Sequence, residues 1–337
     1  MKEQLNKFLD EYCEKNQITG SLRITSHDEV IFERFIGKAT PEGEDINRDS
    51  MFTLYSMSKP FCAIGLMKLY EKGLVDINAH PEKYLPEAKG FPKDLKIYHL
   101  LHHIAGLPDF FTTPDFKVHA ENKLPLREQV ALMTKYPIKF EPGKGNLYAN
   151  INFNIQALII ENVTGMKYAD YMKKEVFEPF GMKNALVDGE GLSVKNRVMG
   201  REEGGEWTER TLDWMFGGGD IVATIDDVYC LNKAIKNCVM LKTETWEEIL
   251  TPSEVNGMGK GCRISLWHGK KRITHNGGHV GFRTLHIQLP EDDFDIIFLS
   301  NSGFGNARDD ISEAIYNIYY GEDNIESEKI EMDKGYI

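Results

Sequence analysis

Residues 56–72 read SMSKPFCAIGLMKLYEK, that is, Ser56-Met57-Ser58-Lys59-Pro60 running into an apolar stretch. The spacing predicts a helix over Ser56–Lys72, with Phe61, Ile64, Met67 and Leu69 among its apolar residues. Pro60 falls near the first turn, where a proline is better tolerated than in a helix interior. A serine at the start of a helix has its hydroxyl near the positive end of the dipole. A lysine three positions later lies one turn along the same face, so its amine can stand beside the serine oxygen and remove or hold its proton. Taken alone, the four residues also read as an N-terminal cap. Ser-x-x-Lys occurs once in the chain.

Before this helix comes an amphipathic one, with Leu5, Phe8, Leu9, Tyr12 and Cys13 at helical spacing. Strand-like runs follow at Gly20–Thr25 and Glu29–Gly37, with Ser26-His27-Asp28 as a polar turn between them, which reads as a hairpin. Beyond it, helical patterns cover Leu95–His103, Leu126–Lys135, Asn152–Val163 and Tyr168–Phe177. Strand signals return at Ile264–Trp267, Arg272–Thr274, Thr284–Leu289 and Ile296–Ser300, and Asp309–Tyr320 reads as a closing helix.

This order predicts an α/β (α+β) fold, with a mainly antiparallel sheet flanked by N- and C-terminal helices and an inserted, mainly helical lobe. We expect one catalytic domain over 1–320, with the α/β region at about 1–50 and 260–320, the helical lobe at about 51–259, and a loose tail at 321–337. A cleft between such regions is a common place for an active site.

The chain has 337 residues, 41% hydrophobic and 27% charged, which suits a large core. The net charge of -12 and the lack of a basic cluster argue against a nucleic-acid partner. No apolar run approaches the ~20 residues needed to span a bilayer. The first residues, MKEQLNKFLDEYCEKNQ, lack the apolar centre of a secretory signal, so a cytoplasmic location is expected. Cys13, Cys62, Cys230, Cys238 and Cys262 are odd in number, with no metal or disulfide spacing, which fits reduced thiols. His102-His103 likewise lacks ligand spacing to other residues, and no metal or cofactor is expected. No Gly-x-Ser-x-Gly elbow occurs.

Two further segments carry chemistry. Tyr148-Ala149-Asn150 follows a Pro-Gly loop and precedes a helix. A phenol near a lysine can act as a general base, and an Asn two residues on can hold a carbonyl or the lysine amine. Alone, the segment also fits a turn beside a cap. His275-Asn276-Gly277-Gly278 ends the strand predicted at Arg272–Thr274. Glycines there let a substrate lie against the strand edge, and the N–H of Gly278 can pair with that of Ser56 as an oxyanion hole. Alone, it also fits a strand-ending turn.

Together, in this order, the three segments resemble the serine β-lactamase and penicillin-binding-protein superfamily, especially its class C-like branch, which includes D-aminopeptidases and esterases. Leu100-Leu101-His102-His103-Ile104-Ala105-Gly106-Leu107 is similar to that family's Leu-Leu-x-His-x-x-Gly-Leu. Gly217-Gly218-Gly219-Asp220 with Ala223-Thr224, and Gly277-Gly278-His279-Val280-Gly281-Phe282, resemble two more of its segments. Where many members carry Lys-Thr-Gly, this chain has His275-Asn276-Gly277, as in the esterase and D-aminopeptidase members; a histidine there offers a weaker, pH-dependent cation.

The resemblance implies a β-lactamase-like fold and an acyl-Ser56 intermediate. It implies Ser56, Lys59, Tyr148 and His275 as catalytic residues, with Asn150, Gly277 and Gly278 binding a small-molecule or peptide substrate. Tyr148, with His275, would activate the water that releases the acyl group. Esters and D-amino peptides are the expected substrates, with weak β-lactamase activity. The alternative is a non-catalytic peptide-binding or scaffold protein. Phe110, Phe111 and Trp214 are candidate cleft walls.

Overall fold

The computed structural model describes residues 1–119, 124–189, 192–209, 215–303 and 305–321. Helix α1 (Lys2–Asn16) buries Leu5, Leu9 and Cys13, each one turn from the last, and stops at Gln17 in the left-handed region. Strands β1 (Gly20–Ser26) and β2 (Glu29–Ile36) form the expected hairpin. His27 and Asp28 both have positive φ, 51° and 64°, the mark of a type I′ turn whose twist suits the strands. The short β3 (Phe52–Thr53) leads into a tight 3-10 turn at Tyr55–Ser58.

Helix α2 (Lys59–Glu71) is buried from Lys59 to Met67 without a break, so it is a central helix rather than a surface one. Helices α3 (Ile97–Leu101), α4 (Pro114–His119), α5 (Leu126–Met133) and α6 (Ile151–Thr164) follow; α6 packs on α2, and α3 and α5 pack on α6. Next come α7 (Tyr168–Met172), a π-turn at Lys173–Phe177 and α8 (Glu178–Phe180), where one helix over Tyr168–Phe177 was expected. Short strands β4 (Leu186–Val187), β5 (Gly200–Arg201), β6 (Trp207–Thr208) and β7 (Ile221–Ala223) precede α9 (Ile225–Lys236) and α10 (Thr243–Leu250). The sequence patterns above do not single out α9, although Thr224 and Asp227 open it with a capping box.

The chain then returns through β8 (Arg263–Trp267), β9 (Lys270–His279), β10 (Phe282–Leu289), β11 (Phe294–Ser300) and α11 (Ala307–Tyr320). Six strands form one antiparallel sheet in the order β2-β1-β11-β10-β9-β8. Helices α1 and α11 cover one face, where Leu5, Leu9, Ile311 and Ile315 meet Leu22, Ile24, Leu285 and Ile287. The helical elements build the larger core on the other side, centred on α2 and α6. A small sheet, β3-β7-β4, seats the Tyr55–Ser58 turn.

Two expectations near the chemistry change. The helix predicted from Ser56 starts at Lys59, because Tyr55 takes φ 49° and the 3-10 turn intervenes. The strand predicted over Arg272–Thr274 runs on to His279, so His275-Asn276-Gly277-Gly278 lies within β9 rather than at its end. Pairing of His275 with His286 and of Gly278 with Arg283 carries the strand through residues of low β-propensity. The tail expected at 321–337 falls, apart from Gly321, outside the described residues.

Candidate active site

Ser56 sits in the 3-10 turn and Lys59 opens α2, so three residues of tight backbone bring hydroxyl and amine together. Lys59 Nζ lies 3.0 Å from Ser56 Oγ, 2.7 Å from Asn150 Oδ1 and 2.6 Å from the Gly218 carbonyl. These three acceptors match the three N–H groups of an ammonium. Lys59 is fully buried, and burial pushes its pKa down to about 7; the charges of Asp109 and Asp220 resist the shift. Near neutral pH the amine therefore stands divided between a proton-holding and a proton-accepting form.

The backbone before Ser56 is strained. A left-handed Tyr55 is uncommon for a non-glycine residue, and such strain clusters at functional sites. It turns the chain from β3 into α2 over four residues. Ser58 Oγ accepts the N–H of Ile221 at 3.0 Å, which ties this turn to β7.

Tyr148 and Asn150 lie on the loop entering α6. Lys59 Nζ is 4.8 Å from the centroid of the Tyr148 ring. Asn150 offers its Oδ1 to Lys59 while its backbone N–H and its Nδ2 both donate to Asp109 Oδ2, each at 2.8 Å. Asp109 is pushed upward by burial, and the two bonds from Asn150 oppose that. Asp220 is buried too, and its pKa rises to about 7 for the same reason; it accepts the N–H of Gly217 at 3.1 Å.

Strand β9 supplies the opposite wall. Pairing with β8 stops at Thr274, so residues 275–279 have β10 on one side and no strand on the other among the described residues. That edge lies against the serine turn. A Cβ added at Gly277 would stand 2.0 Å from Leu54 O and 3.1 Å from Met57 N, so only glycine fits there. Thr284 Oγ1 donates to the same Leu54 carbonyl at 2.8 Å. Arg308 of α11 donates to the Gly277 carbonyl at 3.1 Å.

His275 departs from its expected part. It is buried, its Nδ1 donates to the Asn276 carbonyl at 2.6 Å, and burial with the Lys59 charge pushes its pKa down to about 3. It is neutral at physiological pH and offers no cation to a substrate carboxylate. Its Nε2 carries the lone pair.

The structure thus brings Ser56, Lys59, Tyr148 and Asn150 into one cluster and sets Gly277 against the serine turn. Asp109, Asp220, Gly218 and His103 join them, though sequence reasoning gave them no part. Asp109 directly follows the Gly106-Leu107-Pro108 segment, and Gly218 and Asp220 belong to the glycine segment already quoted, so position in a motif was the available signal. Phe110 and Phe111 each meet Phe116 edge-on in an aromatic group that follows Asp109 in the chain, while Trp214 lies outside the described residues. Among the described residues, no helix is long and apolar enough to cross a membrane.

A family model described as Beta-lactamase matches residues 5–316. Penicillin-binding protein 4* of Bacillus subtilis is 28% identical over 330 residues, covering 89% of this chain and 72% of that protein. The crystal structure of a penicillin-binding protein from Bacillus halodurans superposes with a TM-score of 0.81 at 23% identity, over 92% of this chain and 99% of that one. A D-amino acid amidase from Ochrobactrum anthropi superposes with a TM-score of 0.77 at 23% identity, over 94% and 98% of the two chains.

Proposed function

We propose, from the premise that this chain belongs to the Beta-lactamase family and is a serine hydrolase of that family, that Ser56 attacks the carbonyl of an ester, amide or lactam and carries the acyl group as an ester. The observation that carries the reading is Lys59 Nζ, buried, 3.0 Å from Ser56 Oγ, with a pKa brought down to about 7. As the Oγ–carbon bond forms, the hydroxyl proton passes to the Lys59 amine, with Tyr148 sharing it. The backbone N–H groups of Ser56 and Gly278 receive the oxyanion. The proton then goes to the departing alcohol or amine. Water, deprotonated at Tyr148, cleaves the acyl-Ser56 ester and frees Ser56 again. Asn150 holds Lys59 and the substrate amide. His275, being neutral, acts only as a hydrogen-bonding partner for that water or for substrate.

We place esters and D-amino amides or peptides ahead of penicillins as substrates. A neutral His275 at the strand edge removes the permanent cation that a lysine would present to a carboxylate. Residues 275–279 of β9, which β8 does not pair among the described residues, suit an extended acyl or peptide chain lying alongside the strand. Five free cysteines fit a reducing compartment such as the cytoplasm.

The test is release of p-nitrophenol from short-chain esters, and of p-nitroaniline from D- and L-amino acid anilides, with Ser56→Ala and Tyr148→Phe alongside. Ser56→Ala should abolish turnover and the acyl-enzyme mass. Tyr148→Phe should slow it ~100- to 10,000-fold. Wild-type turnover in Ser56→Ala would refute the assignment. Binding of these compounds without turnover in the wild type would favour a peptide-binding protein.

A further inference from the structure

His103 follows α3, buried, at the end of Leu100-Leu101-His102-His103. Its backbone takes φ 58°. Its carbonyl accepts the N–H of Leu147 at 3.0 Å. Its Nδ1 accepts the N–H of Ala149 at 3.2 Å and stands 3.1 Å from Asn152 Nδ2. Its ring stacks on that of Tyr148, with centroids 4.2 Å apart and planes 23° from parallel. One residue therefore grips the chain on both sides of Tyr148 and the Tyr148 ring itself.

A backbone N–H only donates, so Nδ1 of His103 holds the lone pair and the hydrogen is on Nε2. That tautomer is the one form of the ring that keeps these contacts. Protonation would put a second N–H against the Ala149 N–H, and burial together with the nearby Lys59 charge disfavours it. The stack restricts rotation of the Tyr148 side chain about its Cα–Cβ and Cβ–Cγ bonds. Lys59 Nζ, 4.8 Å from the same ring's centroid, then meets a phenol held in one place.

We propose that His103 is a positioning residue that acts through Tyr148, clasping residues 147–149 and the phenol ring so that the Tyr148 hydroxyl is presented to the proton passing between Ser56, Lys59 and water. This rests on the reading of Tyr148 as a proton acceptor given above. The residue has no contact with the reacting atoms in this scheme. Its effect is geometric, and misplacing a reacting group by about an ångström costs up to ~100-fold in rate.

The test is a double-mutant cycle on ester turnover with His103→Gly, His103→Asn and Tyr148→Phe. Glycine and asparagine both accept the left-handed backbone, and asparagine alone keeps an acceptor near the position of Nδ1. His103→Gly should lower kcat ~10- to 100-fold with little change in KM, and His103→Asn, which restores the acceptor but not the stacked ring, should recover part of the loss. In the Tyr148→Phe background, His103→Gly should cost less than ~3-fold, because the residue through which it acts is already disabled. The same factor in both backgrounds, or no loss in the first, overturns the proposal. Should the glycine variant fail to fold, His103→Gln takes its place at the cost of some left-handed strain, with thermal melting confirming that it is folded, since its longer side chain displaces the acceptor. An unchanged kcat in Tyr148→Phe alone overturns the role of Tyr148. A normal Tyr148→Phe loss with independent His103 effects overturns only the role of His103.

Discussion

The carboxylate of Asp109 takes both the backbone and the side-chain N–H of Asn150, each at 2.8 Å. This double grip fixes which way the Asn150 amide faces. With Nδ2 held by a carboxylate, Oδ1 is left for Lys59, 2.7 Å away. Asp109 also sends its charge to Lys59, where it opposes the effect of burial.

Asp109→Asn replaces this acceptor with an amide that can offer only one oxygen and brings two N–H groups of its own. A hydrogen bond to a charged group contributes about 1.5–3 kcal/mol, so kcat/KM should fall ~10- to 150-fold on the same esters. KM-independent loss of acylation rate, read by acyl-enzyme mass against time, is the expected signature. An undiminished rate would take Asp109 out of the site.

The Lys59 amine sets a pH limb. Its pKa in the fold is about 7, against an ordinary 10.5. In the proposed mechanism the neutral amine is the proton acceptor, so kcat/KM should rise as pH climbs through about 7. Stability should move the same way for a related reason. Between about 7 and 10.5 the unfolded chain holds a proton at this lysine that the folded chain has released, so this residue's contribution makes the fold more stable as pH rises through that window. Lys59→Arg keeps the charge but cannot titrate, and it should lose ~100- to 10,000-fold in rate together with the limb.

Asp220 identifies the owner of that limb. It is buried beside the Gly217–Gly219 turn, its own pKa is pushed up to about 7, and its charge raises that of Lys59. Asp220→Asn keeps an oxygen for the Gly217 N–H and removes the charge. The limb should move to lower pH in this variant. If the limb vanishes instead, it belonged to Asp220, and Lys59 is not the titrating acceptor.

The parts of this site that were legible in sequence are those whose chemistry is local. Ser56 and Lys59 stand one turn apart, so spacing alone places them together. Asp109 and Asn150 are 41 residues apart, and an Asp after a proline reads as a turn until the loop is seen to fold back. His103 reads in the sequence as a histidine without metal spacing and as part of the Leu-Leu-x-His-x-x-Gly-Leu resemblance, neither of which gives it a role, because the part proposed for it depends on a ring 45 residues later in the chain. Strand β9 outran its prediction since Asn-Gly-Gly carries no strand signal, and register against β10 supplies what propensity lacks. The strands β3, β4 and β7 are two or three residues long, too short to show any period, yet they hold the serine turn. Helix α9 carries its start signal in the Thr224–Asp227 capping box, and its apolar Ile225, Val228, Leu231 and Ile235 fall at helical spacing behind it.

Adjacent glycines on β9 should respond very differently to one added methyl. At Gly277 the new carbon would meet Leu54 O at 2.0 Å, Thr284 Oγ1 at 2.5 Å and Met57 N at 3.1 Å. Two of these are backbone atoms of the segment carrying Ser56, and neither can yield without moving the nucleophile away from the strand. At Gly278 the nearest atoms are Arg283 Cδ at 3.0 Å and Nη1 at 3.2 Å, the outer part of a flexible side chain, with Phe282 O at 3.2 Å. Gly277→Ala should therefore cost about 1–3 kcal/mol in stability by overpacking and most of the acylation rate. Gly278→Ala keeps its backbone N–H, so it should melt close to the wild type and lose less than ~10-fold in kcat/KM, well short of the ~100- to 1,000-fold cost of removing an oxyanion donor. Thermal melting and ester kinetics on the two variants decide the matter. Equal damage at both positions would mean that the strand edge yields as a whole, and that the close fit of Gly277 against the serine turn does not set the distance between nucleophile and oxyanion site.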